Sequence, residues 1–229
     1  ETLYLYTGTN YSVFMNHNEA NKEEIEQSFR EQAKLGKIDM KATGRRFTLF
    51  DTSIYKLFNE DLILGESKME SVNYVYKEPE VLIDWKITEE QKEFNRYAVQ
   101  KATTSFAGRD YEAWFTMEIP ISDGPYIFHG LSGLIVELYD TEQHYHFELE
   151  GLKKLETPRI FKLDTSKVLD KSEYKEIKEK IHKNKATLLY QRTAHLERID
   201  PTGKKLSEAE VRRRLKKGAE REINALELE

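Results

Sequence analysis

His144, His146 and Glu148 alternate within His144-Tyr145-His146-Phe147-Glu148-Leu149. On an extended strand the period of two puts these three on one face and Tyr145, Phe147 and Leu149 on the other. Two imidazoles and a carboxylate suit zinc or a similar divalent ion. A stable site needs a third or fourth ligand of defined geometry, which residues outside the strand such as His129 or Asp140 would have to supply. The same alternation also describes a solvated polar face opposite a buried aromatic one, which is the favoured reading.

Ser132 invites a nucleophile test, because Gly130-Leu131-Ser132-Gly133-Leu134 nearly spells the Gly-x-Ser-x-Gly elbow of α/β-hydrolases. It fails on spacing, since the second glycine follows the serine directly, and on context, since no parallel strand-to-helix turn is predicted there. A packing role for the turn is expected instead. Asp84, Glu112, Glu118, Asp123 and Glu137 sit among apolar residues, and each reads as the outward residue of an alternating strand rather than half of an acid/base pair. Arg212-Arg213-Arg214 with Lys216-Lys217 is a basic run. Glu208, Glu210, Glu220 and Glu222 surround it, which makes it an ion-paired helix face, and no aromatic side chains interleave as a nucleic-acid platform requires.

The elements that position these residues are mostly strands. The chain has 229 residues, 38% hydrophobic and 34% charged, with 13 Tyr and 11 Phe to fill half-buried strand faces. A formal charge of -5 with both signs interspersed offers no long-range attraction for nucleic acid or an anionic membrane. There is no cysteine, hence no disulfide or thiolate chemistry, and no apolar run long enough to make an integral membrane protein. No cofactor motif is complete, and no cofactor is expected. Short alternating runs at Phe47–Phe50, Val72–Tyr76, Val81–Trp85, Tyr111–Thr116 and His144–Leu149 predict an antiparallel meander. Helices are predicted from Asn21, with Glu24 completing a capping box and Gly36 ending it, from Ser172, and from Ser207, where Glu210 completes a second box. Ala186–Leu196 reads as a last strand before the turn Asp200-Pro201-Thr202-Gly203. A single domain over 1–229 is expected, with 165–229 its helix-rich part.

The densest signal is Gly124-Pro125 through Ile135, in which Gly124, Gly130 and Gly133 punctuate the apolar anchors Phe128, Leu131, Leu134 and Ile135. With Tyr76-Lys77-Glu78, Trp85-Lys86-Ile87, Tyr97, Lys101-Ala102, Gly108-Arg109-Asp110-Tyr111-Glu112-Ala113-Trp114-Phe115-Thr116 and Glu118-Ile119-Pro120-Ile121, it resembles the GLPGLI family, uncharacterised exported proteins of Bacteroides-type bacteria. Ser132 stands where the family name has Pro, and Val99 where relatives commonly carry Cys. Ser12-Val13-Phe14 looks like the family's early Ser-x-Phe segment, normally preceded by a leader and a strand, so the chain is expected to lack a signal peptide and an N-terminal strand.

The resemblance implies a periplasmic or outer-membrane-associated location and supplies no activity. The expected fold is a strand-rich α+β domain: a long, curved antiparallel sheet in a half-open barrel, like periplasmic lipoprotein carriers, with a few packed helices. The expected role is a binding or carrier module for an apolar ligand or an exported polypeptide. The alternatives are an accessory protein of an outer-membrane transporter or secretion system, partnering an envelope protein, and a metal-assisted hydrolase on His144, His146 and Glu148.

Overall fold

The structure is a computed structural model and describes residues 1–36, 38–70, 72–79 and 83–193, with 207, 209, 210 and 213. By compactness the chain divides into two units, Glu1–Leu169 and Asp170–Leu228. The first is strand-rich. β1 (Leu3–Thr7), β2 (Tyr11–Asn16), β3 (Thr52–Leu57), β4 (Leu62–Met69), β5 (Val72–Lys77) and β11 (Val168–Asp170) form one sheet in that order. β6 (Lys86–Phe94), β7 (Tyr97–Phe106), β8 (Arg109–Thr116), β9 (Leu134–Asp140) and β10 (His146–Glu148) form another, ordered β10-β9-β8-β7-β6. The pairings from β1 to β5 and from β6 to β10 are antiparallel. The fold is the expected strand-rich, antiparallel α+β type, with its strands shared between two sheets and no closed barrel among the described residues.

Tight hairpins explain the meander. Asn95-Arg96 between β6 and β7 and Ala107-Gly108 between β7 and β8 both have positive φ at each central residue, as a two-residue turn matching the strand twist requires. The chain changes sheets between β5 and β6. For that reason Ile83–Trp85 is not the strand that its apolar run predicts: the Trp85 indole donates to the His129 carbonyl at 2.8 Å and packs on Phe128. Val81 and Leu82 lie outside the described residues.

One face of each sheet is turned to the other. Phe14 of β2 meets Phe147 of β10 edge-on at 5.9 Å, and Ile54 and Lys56 of β3 are buried on the same side as Phe14. Opposite them lie Tyr111, Ala113 and Leu138, all at most 1% exposed. The six-stranded sheet's other face buries Val13, Met15, Tyr55, Leu64 and Val75, with Ala20 from the short helix α1 (His17–Ala20).

Helix α2 (Lys22–Lys34) forms where predicted, buries Ile25, and closes at Gly36 with φ 71. The predicted capping box does not form. Asn21 instead turns its amide back to the His17 carbonyl, because α1 precedes α2 directly and takes Asn16 as its own N-cap. Phe47–Phe50 is likewise not a strand: the Glu1 carboxylate accepts from the Thr48 hydroxyl and from the amides of Leu49 and Phe50, and Asn16 donates to the Phe50 carbonyl. Side chains satisfy this backbone in place of a ladder.

In the second unit, α3 (Lys171–Thr193) runs through the start of the segment predicted as a final strand. No Gly or Pro interrupts 171–193, and Glu176–Lys180 and Glu179–Lys183 pairs follow the helical repeat, so elongation continues. Ser207 and Glu210 do form their reciprocal box. The turn at 200–203 and most of the basic run lie outside the described residues.

Tyr55 links this core to pH. Burial first, then the charge of Glu66 and the hydrogen bond donated to it at 3.0 Å, push the phenol far above its ordinary 10.0. The unfolded phenol ionises near its ordinary value while the folded one does not. Its contribution is therefore complete below pH 10.0 and lost progressively above it. Tyr55→Phe is expected to flatten the alkaline fall in stability measured by urea melts; an unchanged slope would contradict this.

Candidate functional site

The glycine-punctuated block leads from β8 into β9 and is tied to the other sheet by one cation. Lys56 of β3 is 1% exposed, pairs with the Asp123 carboxylate, and donates to the carbonyls of Gly124 at 2.7 Å and Phe128 at 3.4 Å. Asp123 is fully buried. Its Oδ1 also accepts from the Gly124 amide, and its Oδ2 makes no hydrogen bond. Burial pushes Lys56 below its usual range, and Asp123 opposes that shift. Asp123 is thus an interior anchor, not the outward strand residue that its neighbours predict.

Phe128, Leu131, Leu134 and Ile135 are all buried, and Phe128 collects Tyr111 at 4.7 Å, Phe106, Tyr126 and Trp85 around its ring. Gly130 and Gly108 both have positive φ. Gly124 lies against the Ile135 side chain, and Pro125 accepts the Phe128 amide through its carbonyl. Ser132 is exposed, and the Nδ1 of His129 lies 2.9 Å from the Ile127 carbonyl within the same turn.

The outer face of the five-stranded sheet carries a different arrangement. The register aligns Lys101, Trp114 and Glu137 across three strands, with Glu148 beyond, and Glu112, Tyr139 and His146 one step away. Trp114 is 7% exposed, packed by Val99, Ile119, Leu134 and Val136 and roofed by the Lys92 ammonium 4.2 Å above its ring. Lys92 pairs with Glu137 at 2.5 Å; Glu137 meets His146 at 3.1 Å; His146 meets Glu148 at 3.3 Å. Lys101 bridges Glu112 at 3.1 Å and Glu90 at 3.3 Å, and the Tyr139 hydroxyl donates to Glu112 at 2.8 Å. Lys92, His146, Glu148 and Glu90 remain open to solvent at 37–62% of their side-chain surface.

The metal candidates do not converge on one point. His146 and Glu148 gather with Glu137, whereas His144 gathers with Asp140 and Glu142 where β9 ends. Each group already holds a cation: Lys92 on Glu137, and Arg109, which reaches Asp140 at 3.1 Å and the His144 ring at 2.7 Å. Of the two further ligands weighed for the strand, Asp140 lies in His144's group.

At Glu112, Lys101 and Tyr139 the electrostatics do not tune an acid or base. Burial pushes the Glu112 carboxyl up, but the hydrogen bonds from Tyr139 and Lys101 and the charges of Lys101 and Lys92 outweigh it and hold the group below its usual range. The bond to Glu112 raises Lys101 against its own desolvation, and burial raises Tyr139. All three shifts move away from neutrality, so these groups stay anion, cation and phenol across the physiological range. General acid–base catalysis needs the opposite. Fixed charges around a rigid ring suit recognition.

Single-residue reading did not find Lys56, Lys92, Lys101 or Tyr139 as members of these sites. For Lys56 a signal existed: a lone cation inside Ser53-Ile54-Tyr55-Lys56-Leu57, where an apolar residue would be ordinary. For the others, only the cross-strand register brings them together.

A family profile described as a protein of unknown function, Porph_ging, matches residues 107–137. The match opens on the Ala107-Gly108 hairpin turn, contains Arg109, Trp114, Asp123 and the glycine block, and closes on Glu137. No curated protein matches the chain. Among solved structures, PNGF-II in a C2 space group is similar, with a TM-score of 0.52 and 17% identity over 76% of this chain and 29% of that one. PNGF-II in a P21 space group gives a TM-score of 0.47 at 16% identity over the same shares. The chain spans less than a third of the length of PNGF-II, and the likeness is one of fold alone.

Proposed function

We propose that the chain is a non-catalytic binding module of the GLPGLI type, exported to the periplasm or held at the outer membrane, that takes an exported polypeptide on the outer face of the five-stranded sheet. The observation that carries this is the array around Trp114: a buried ring, two roofing lysines and a row of carboxylates, Glu112, Glu137, Glu148 and Glu90, the last two open to solvent. Peptide backbones and side chains of both signs find partners there.

Two features favour a polypeptide over an apolar cargo and a face over an edge. The space between the sheets is taken up by ring-to-ring contacts among Phe14, Phe50, Tyr126, Phe128 and Phe147 and by the buried Lys56–Asp123 pair. The edge strand β6 is studded with Lys86, Glu89, Glu90, Lys92 and Glu93 and shifts register between Ile87 and Gln91, both of which discourage strand addition.

Charge reversal at the face tests the reading. Glu90→Lys with Glu148→Lys, both more than half exposed, is expected to lower recovery of an envelope polypeptide in pull-downs about tenfold or more, with the melting curve little changed. Equal recovery by the variant and the unchanged protein, or recovery of bare protein from both, would overturn it.

A further inference from the structure

Between α2 and β3 the chain runs inside out. Leu35, Ile38, Met40, Phe47 and Leu49 are 53–86% exposed, while Thr43 is buried. This is not a loose loop. Asn18 and Arg46 exchange two hydrogen bonds, from the Arg46 amide to the Asn18 side chain at 2.9 Å and from the Asn18 amide to the Arg46 carbonyl at 2.8 Å. The Asp39 amide donates to Gln32, the Thr43 hydroxyl to the Met40 carbonyl, Ser28 to the Ala42 carbonyl, and the Leu49 amide to Glu1. The polar backbone is pinned inward onto α1 and α2, and the apolar side chains stand outward.

The same segment inverts the charge of the protein. By sequence, 34–49 carries Lys34, Lys37, Lys41, Arg45 and Arg46 against one acidic residue, Asp39, with the Glu1 carboxylate bound at Leu49, in a chain whose net charge is -5. A net charge spread over the whole surface hides a local cationic, apolar patch of this kind.

We propose that the 35–49 connector docks the protein on a membrane surface bearing anionic lipid headgroups. The apolar side chains enter the headgroup boundary, and Lys41, Arg45 and Arg46, all exposed, meet the phosphates. Large exposed apolar side chains beside the cations favour a lipid surface over an acidic polypeptide, which would pair with the cations and leave Phe47 and Leu49 without apolar partners. The segment shares no residue with the sheet face around Trp114, so the two can be tested separately.

The experiment is flotation of the full chain with vesicles of phosphatidylcholine alone and of phosphatidylcholine mixed equally with phosphatidylglycerol. The protein is expected to float with the mixed vesicles and not with the neutral ones. Arg45→Ala with Arg46→Ala should weaken binding about tenfold or more, as should Phe47→Ala with Leu49→Ala. Because Phe47 and Leu49 are more than 80% exposed, the second variant is expected to keep the unchanged melting curve. Phe47→Trp should show a blue-shifted emission on mixed vesicles. No flotation, equal flotation with both vesicle types, or binding to polyglutamate in place of vesicles would overturn the proposal.

Discussion

Replacing Asp123 with Ala is expected to cost the folded state about 3–5 kcal/mol, because it leaves the Lys56 ammonium buried without its counter-charge. Lys56→Met should cost a similar amount from the other side, leaving a buried carboxylate together with the Gly124 and Phe128 carbonyls that the ammonium now serves. The double variant Lys56→Met/Asp123→Leu should lose much less than the two single losses together, since neither charge then remains.

The pH dependence follows from the direction of the Lys56 shift. The folded value lies below the ordinary 10.5, so the unfolded chain binds more protons between the two, and stability rises with pH across that window. Lys56→Met should remove that rise and leave the tyrosine-linked fall that begins above 10.0. Urea melts across the alkaline range measure both. Single-variant losses of about 1 kcal/mol or less would mean that the pair is not the strut between the sheets.

Gly133→Ala should be the most damaging single methyl in the protein. A Cβ there would overlap the Thr116 carbonyl oxygen and lie 2.6 Å from its carbon and 3.0 Å from the Met117 nitrogen, all backbone. Those atoms cannot rotate away. Relief requires parting Thr116 from Leu134, where β8 pairs with β9, and breaking the hydrogen bond that the Leu134 N–H donates to the Ile119 carbonyl at 3.1 Å. The expected loss is about 4–5 kcal/mol or failure to fold. Gly130→Ala provides the contrast: its Cβ would meet nothing closer than 3.9 Å, but its φ of 97 strains any side chain, at a cost of about 1–2 kcal/mol. Thermal melts rank the two, and a Gly133→Ala protein as stable as Gly130→Ala would contradict the packing described for the block.

The sequence was most legible where local pattern and long-range demand agree. Tyr111–Thr116 alternates and lies as a strand in the middle of its sheet, and the helix predicted from Asn21 runs from Lys22 to Lys34. Phe47–Phe50 was misread because its backbone partners come from Glu1 and Asn16, far away in sequence. Ile83–Trp85 was misread because an apolar run that crosses between sheets looks the same as one that joins a sheet. The split into two sheets was not legible either, since hairpin spacing fixes neighbours and not layers.

At the site, alternation placed His146 and Glu148 on one face. Their actual partner, Glu137, could be known only from the β9–β10 register. Nothing in the residues around Asp123 marks it as buried, because its counter-charge, Lys56, comes from a distant strand.

The proposed polypeptide site lies on the outer face of the five-stranded sheet, in a protein proposed to reach the cell envelope. Site-specific photo-crosslinking in intact cells tests it most directly, with the probe placed in turn at Glu148, at Glu90 and, as a control on the other sheet, at the exposed Lys68 of β4. The predicted result is one reproducible envelope polypeptide captured from positions 148 and 90 and not from 68. Capture from 68 alone, or no adduct from 148 and 90 with the protein folded and in the envelope, would contradict the account.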